Sequence, residues 1–364
     1  MQTIIYNGNF EIQKKLDMRG EVEISVPGIY LINKPLVIYS GTRLYIRHGV
    51  IIKAADDSHC SLIENSSFYS GETDEDIEIV GGIWDGNCDG QDLDPLDFTL
   101  SRNAYPYDPR RFTGKLLRFA HIRNFTFRDA TVKDPVSYGV QIADASGFCV
   151  SDIHFDYNCR FGTTDGIHIN GPSDNGIIRR LHGITNDDMA ALTTVDEDHA
   201  EITRGPIRNV IIDGVHAENG YTGVRLLSCG EPLSDIEVRN VSGTFRHNAL
   251  SITHHYVHPG EEIRMENITV DGVFASKSSR KLSSDCFIYW DSGDILNNDP
   301  VIWVESGVNV GNLTIKNVFR EEKTDSSAPT VRIDSGTHIE KLTVENIRHS
   351  FLFGQDFDEI IYGN

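Results

Sequence analysis

Asp165, Asp187 and Asp188 stand at the mouths of two short apolar runs, Asp165-Gly-Ile-His-Ile169 and Asp188-Met-Ala-Ala-Leu192. The runs start 188 − 165 = 23 residues apart. That spacing suits one turn of a coil that returns to the same place one rung higher. Stacked strands lie about 4.8 Å apart, so acids at equivalent points of adjacent rungs would be neighbours. Like charges that close disfavour full ionisation. A chain that keeps them is either binding a cation, capping turns, or running acid/base chemistry. Crowded carboxylates suit the last, because one group can stay protonated while another stays charged. Glycoside cleavage needs that split: an acid for the leaving oxygen and a carboxylate for water or the anomeric carbon, about 6.5–9.5 Å apart in inverting enzymes.

The elements that must position these acids are short and β-rich. Val22–Val26, 28–32, 36–38, 44–46, 50–52 and 77–87 are brief apolar runs cut by Gly, Pro, Asn or Ser, which reads as strand and turn. From residue 116 a two-part unit recurs. Its first half is Ile122–Phe127, Val150–Phe155, Ile207–Ile212, Leu233–Val238, Ile263–Val270, Val310–Ile315 and Ile339–Val344. Its second half is Tyr138–Ile142, Asp165–Ile169, Asp188–Leu192, Thr222–Leu226, Asn248–Ile252 and Asp285–Tyr289. Short strands at this period, with no helical pattern between them, predict an all-β, single-domain parallel β-helix. Asn and Asp beside the strands favour its sharp turns. A β-sandwich or barrel would instead show two-residue hairpin turns between alternating strands. Residues 1–20 are expected to form an N-terminal leader or cap, and 21–364 the β-helix, with loop insertions near 88–112 and 193–206.

Stacking the second halves predicts an inward column (Val140, Ile167, Ala190, Val224, Leu250, Phe287) and an outward one (Gln141, His168, Ala191, Arg225, Ser251, Ile288). Polar groups gather where the strands begin. The expected substrate contacts are His168, Tyr221, Thr222, Arg225, His247, Asn248 and His255. Arg225 is the best placed to grip a substrate oxygen or carboxylate. Trp84 and Tyr138 could stack on sugar rings, although each reads first as core. Strict alternation would send Asp187 and Asp188 to opposite faces, so the chain must bend there to bring both to one cleft. His254, His255 and His258 lack a matched carboxylate set and read as loop or cleft wall, not metal ligands. Asp196–His199 reads as a solvated insertion. No cofactor and no metal is expected.

The 364 residues carry a formal net charge of −21. That argues against nucleic acid, which needs a basic footprint, and weakens a strongly anionic polymer as partner. No apolar run approaches the ~18 residues of a membrane span, so no membrane partner is expected. The start lacks the basic-then-apolar pattern of a secretory signal. The expectation is a cytoplasmic protein, or a secreted one whose leader has been removed. Cys60, Cys88, Cys149, Cys159, Cys229 and Cys286 form no CxxC pair and read as reduced packing residues.

The pairing of Thr164-Asp-Gly-Ile167 with Asn186-Asp-Asp-Met189 resembles the NTD and GDD motifs of glycoside hydrolase family 28, the polygalacturonases and their relatives. Val22–Ala54 and Gly81–Asn87 resemble that family's first coils. The resemblance implies a right-handed, pectin-lyase-like β-helix and an inverting hydrolase acting on a plant-type or other oligo- or polysaccharide. It implies that Asp165 and Asp188 frame the attacking water and that Asp187 donates the proton. The family's Gly-His-Gly is absent, with Tyr221-Thr-Gly223 at its rung. Its Arg-Ile-Lys, which grips a uronate carboxylate, is also absent, with Ser251-Ile-Thr253 near that position. A neutral or only partly acidic glycan is at least as well supported as polygalacturonate. Two alternatives stay open: a polysaccharide lyase, which would need a base alpha to a uronate carboxylate, and a non-catalytic glycan-binding β-helix.

Overall fold

The computed structural model describes residues 3–94, 112–194, 202–254, 264–288, 299–351 and 360–362. The chain winds as a right-handed parallel β-helix whose coils stack in three parallel ladders. The ladder that carries the acids, here called the site sheet, stacks 140–143 on 167–170 and then on Asp188–Thr193, Thr222–Leu227, Leu250–Thr253, Ile302–Val304 and Val331–Ile333. A second ladder runs through 122–128, 145–151, 173–179, 207–213, 233–239 and 265–271. A third runs through 130–133, 153–156, 181–184, 215–220 and 241–245. No single coil can bury its own apolar face. Stacking produces one continuous core, in which Phe127, Val150, Ile178, Ile212 and Val238 are fully buried in line.

Local backbone chemistry explains why the turns fall where they do. Between the second and third ladders, every rung from 129 to 346 turns through one residue with positive φ: Asp129, Asp152, Arg180, Gly214, Asn240, Gly272, Asn317 and Asn346. A left-handed residue costs roughly 1–2 kcal/mol for ordinary side chains and least for Gly, Asn and Asp. The asparagines also bond across rungs, with Asn240 Nδ2 donating to Asp213 Oδ1 at 2.8 Å and Asn317 Nδ2 to Asp271 Oδ1 at 2.7 Å. At the N-terminal end, Gly8–Glu11 and Gln13–Leu16 form two single-turn helices. Ile12 and Leu16 are wholly buried against the first coils.

Several rung assignments change. Leu250–Ile252 pairs with Ile302–Val304, 302 − 250 = 52 residues on, so Asp285–Tyr289 is not the next rung. Its short polar-then-apolar pattern matched, but Phe287 N donates to Cys159 O instead of to a ladder. On the second ladder, Ile122–Phe127 pairs with 145–150 and that segment with 173–178, so Val150–Phe155 is out of step by 150 − 145 = 5 residues. The true rungs open on Ala145 and Ser173, small residues where the pattern demanded an aliphatic one. Val150–Phe155 instead crosses the Asp152 corner into the third ladder.

The outward column is not solvated either. Gln141, His168, Ala191 and Ser251 are each 3% exposed or less. Trp84 is core, wholly buried, with its indole N–H on Gly81 O at 3.1 Å. All six cysteines are free thiols.

Candidate active site

Ile167 pairs with Ala190, which puts Asp165 and Asp188 at equivalent points of adjacent rungs. The chain bends at Asn186 and Asp187 before the strand begins at Asp188. That bend brings Asp187 to the same place. One oxygen from each of the three carboxylates lies within 4.8 Å of the others. Asp165 and Asp188 are buried and Asp187 half-buried, so the trio sits at the edge of solvent with Asp187 foremost.

Two of the acids are held from behind. Asp165 Oδ1 accepts from the Asp188 backbone N–H at 3.2 Å, and Oδ2 from His168 Nδ1 at 2.6 Å. His168 Nε2 accepts from Asn170 Nδ2 at 3.3 Å, and Gln141 Nε2 donates to Asn170 Oδ1 at 2.8 Å. This chain selects the imidazole tautomer protonated at Nδ1. The Tyr138 ring stacks on His168 at 4.2 Å and fixes its plane. His168 and Tyr138 therefore orient Asp165 from beneath. Asp188 Oδ2 accepts from Arg225 Nε at 2.6 Å, while its buried Oδ1 has no hydrogen-bond partner in the protein. Burial works against the Arg225 charge, but Asp188 and Asp187 beside it raise its pKa above the ordinary arginine range.

The bend itself rests on Asn186, which is wholly buried. Its Nδ2 donates to the carbonyls of Cys159, Phe161 and Phe287 at 3.2, 3.0 and 2.9 Å. Its Oδ1 accepts from Arg246 Nη2 at 2.7 Å. Thr185 Oγ1 adds a bond to Asp187 O at 2.8 Å. Asn186 was visible in the sequence only as the first letter of a motif, and Arg246 not at all. The role of each depends on chain segments far apart in sequence.

The remaining expected contacts divide. Tyr221 stacks on His247 at 4.9 Å, and both are nearly buried. Phe287 packs against Tyr221. Thr222 and Asn248, expected to touch substrate, are wholly buried and bond inside the protein. Thr222 Oγ1 lies 3.4 Å from His247 Nδ1, and Asn248 Nδ2 donates to Pro300 O at 2.5 Å. His254 bonds to Ser306 O at 2.8 Å. His255, His258, Asp196–His199 and the 95–111 part of the long loop lie outside the described residues. Trp303 was missed. It follows a 52-residue step whose rung the 285–289 segment had mimicked, and its indole N–H donates to Asp334 Oδ2 at 2.8 Å.

Beyond the trio, burial holds His247 well below the usual imidazole range, reinforced by Arg225, Lys277 and Arg332. Burial also pushes the Lys277 ammonium down to about 7, against the pull of Asp299, and its Nζ donates to His247 O. An unfolded lysine keeps its proton to about pH 10.4. Between pH 7 and about 10 the unfolded chain therefore binds the extra proton, so stability contributed at Lys277 rises with pH across that window. Lys277→Met should flatten this rise in urea-denaturation midpoints measured from pH 7 to about 10.

No protein-family model matches this chain, and no curated protein matches its sequence. Solved structures do match its fold. Endo-xylogalacturonan hydrolase from Aspergillus tubingensis superposes with a TM-score of 0.65 at 14% identity, over 96% of this chain and 90% of that one. The family 28 exopolygalacturonase of Yersinia enterocolitica gives 0.54 at 14% identity, over 95% and 78%. The tailspike protein of E. coli bacteriophage HK620 gives 0.65 at 10% identity, over 99% and 64%. The class defined is thus a right-handed parallel β-helix, similar in fold to these proteins. Such a scaffold hosts several activities, so function has to be read from the acids and not from the fold.

Proposed function

We propose that this chain is a glycoside hydrolase acting on an oligo- or polysaccharide, with Asp165, Asp187 and Asp188 as its acid/base centre. The observation that carries the reading is the convergence of three carboxylates within 4.8 Å at the solvent edge. A ladder capping its turns needs no such trio, and two of its members are oriented by dedicated partners, His168 and Arg225. Asp187, the most exposed, donates the proton to the leaving oxygen. Asp165 and Asp188 hold the attacking water between them, because oxygens this close can both bond one water at about 2.8 Å. The ~6.5–9.5 Å of most inverting enzymes separates acid from base, and the oxygens of Asp187 lie closer than that to both Asp165 and Asp188, so the water is held beside the trio by two carboxylates, neither of which attacks the anomeric carbon. Inversion follows from water attacking directly.

A glycan panel read by reducing-end release tests this. Wild type should release reducing ends from at least one member, and Asp165→Asn should not. Proton NMR of the first-formed anomer should show inverted configuration. An ultraviolet-absorbing unsaturated product would assign a lyase instead. Equal behaviour of wild type and variant across the panel would assign a non-catalytic glycan-binding β-helix.

A further inference from the structure

The described strands of the site sheet carry three fixed cations, Arg118, Arg225 and Arg332. All three fall in one column, since the register runs Arg118–Gln141–His168–Ala191–Arg225–Ser251–Trp303–Arg332. Each is already matched by a carboxylate of the protein. Arg118 meets Glu64 at 3.1 Å, both side chains 5% exposed or less. Arg225 meets Asp188 at 2.6 Å. Arg332 meets Asp334 at 3.1 Å. The neighbouring basic groups are no freer to act. Among the described residues, Lys277 is buried with its Nζ on His247 O, Lys115 is buried over the Tyr138 ring at 4.9 Å, and Arg246 is tied to Asn186 Oδ1 and Thr185 O over the Tyr221 ring.

From this we infer that the cleft takes uncharged sugar units, not uronates. The inference deepens the hydrolase reading and rests on it for the location of the cleft. A sugar carboxylate bound near the trio would face three acids. Among the described residues, to reach a cation it would have to compete with Asp188 for Arg225, breaking a buried pair that also positions the base, or with Asn186 for Arg246, loosening the bend that carries Asp187. The loss of a partner for such a buried charge is costly. Removing an uncharged sugar's hydroxyls from water costs far less than burying a carboxylate without a cation. Trp303, two rungs from Arg225, is half-buried and anchored through its indole N–H. Its ring, with the Arg332 guanidinium 5.6 Å from the centroid, is of the apolar kind that packs on the C–H face of a neutral sugar. Arg225 is thus a positioning residue for Asp188, not the substrate grip expected from the sequence.

The test uses sets of oligosaccharides with identical linkage that differ in one group: a C6 hydroxymethyl, a C6 carboxylate, or a C2 amine. Hydrolysis and binding to the full-length wild type are measured separately. The expected result is a kcat/KM at least about 10-fold higher for the hydroxymethyl member, unchanged from about 0.02 to 0.5 M salt, since screening acts only on charge. Preference for the carboxylate or amine member, in either assay, would overturn the inference, as would binding of none. Uronate hydrolysis abolished by Asp188→Asn would overturn the inference yet uphold the hydrolase. Binding of the neutral member without cleavage would do the reverse.

Discussion

Asp188→Asn should lower kcat by about 10²- to 10⁴-fold on whichever glycan the wild type cleaves, the range that loss of a general base commands. The fold should survive with reduced stability, since neutralising Asp188 leaves the Arg225 charge without its paired carboxylate. Asparagine has nearly the same shape, its carbonyl can still accept from Arg225 Nε, and its NH₂ would occupy the place of an oxygen that now has no partner in the protein. Asp187→Asn should match that loss for poor leaving groups and regain part of it on an aryl glycoside. An activated leaving group needs less help from an acid. Steady-state kinetics on natural and aryl substrates separates the two roles. If Asp188→Asn retained wild-type kcat, Asp188 would be a turn residue only.

Asn186→Ala should produce the second large effect, on stability and activity together. The substitution removes donors from three carbonyls and the shorter of two acceptors from Arg246 Nη2, all buried or half-buried. Cys159 O keeps a second donor in Phe287 N, and Phe161 O a long one in Thr164 Oγ1. Unsatisfied buried groups cost about 1–3 kcal/mol each, so a loss of about 2–4 kcal/mol in urea unfolding is expected. The bend that carries Asp187 also relaxes. A misplacement near 1 Å costs about 10²-fold in rate, so kcat should fall while the affinity for substrate changes little. Asn186→Asp is the sharper control, since it keeps the volume, removes the amide donors and adds a fourth acid beside three. Wild-type stability in both variants would show that the bend is held elsewhere.

The coil, the one-rung separation of Asp165 and Asp188, and the need for a bend at Asp187 were all legible in the chain, because each follows from spacing and side-chain alternation. What failed was register wherever small residues replaced aliphatic ones. Ala145 and Ser173 open true rungs, yet Val150–Phe155 fits the pattern better. Burial also misled. Alternation says which way a side chain leaves a strand, not whether another segment covers it. That is why Thr222, Asn248 and His168 point toward the cleft side in sequence and are buried in the structure. The supports of the site, Asn186 with Arg246 and the 286–288 segment, join residues up to 101 apart. No local pattern announces such contacts.

The central claim is geometric, and one complex tests it most directly: a crystal structure of the Asp188→Asn variant with an intact oligosaccharide that the wild type cleaves. The scissile oxygen should lie within hydrogen-bond distance of Asp187, with a water bonded to Asp165 on the side facing the anomeric carbon. A sugar seated on another face of the coil, with the three acids turned away from the bond being broken, would contradict it.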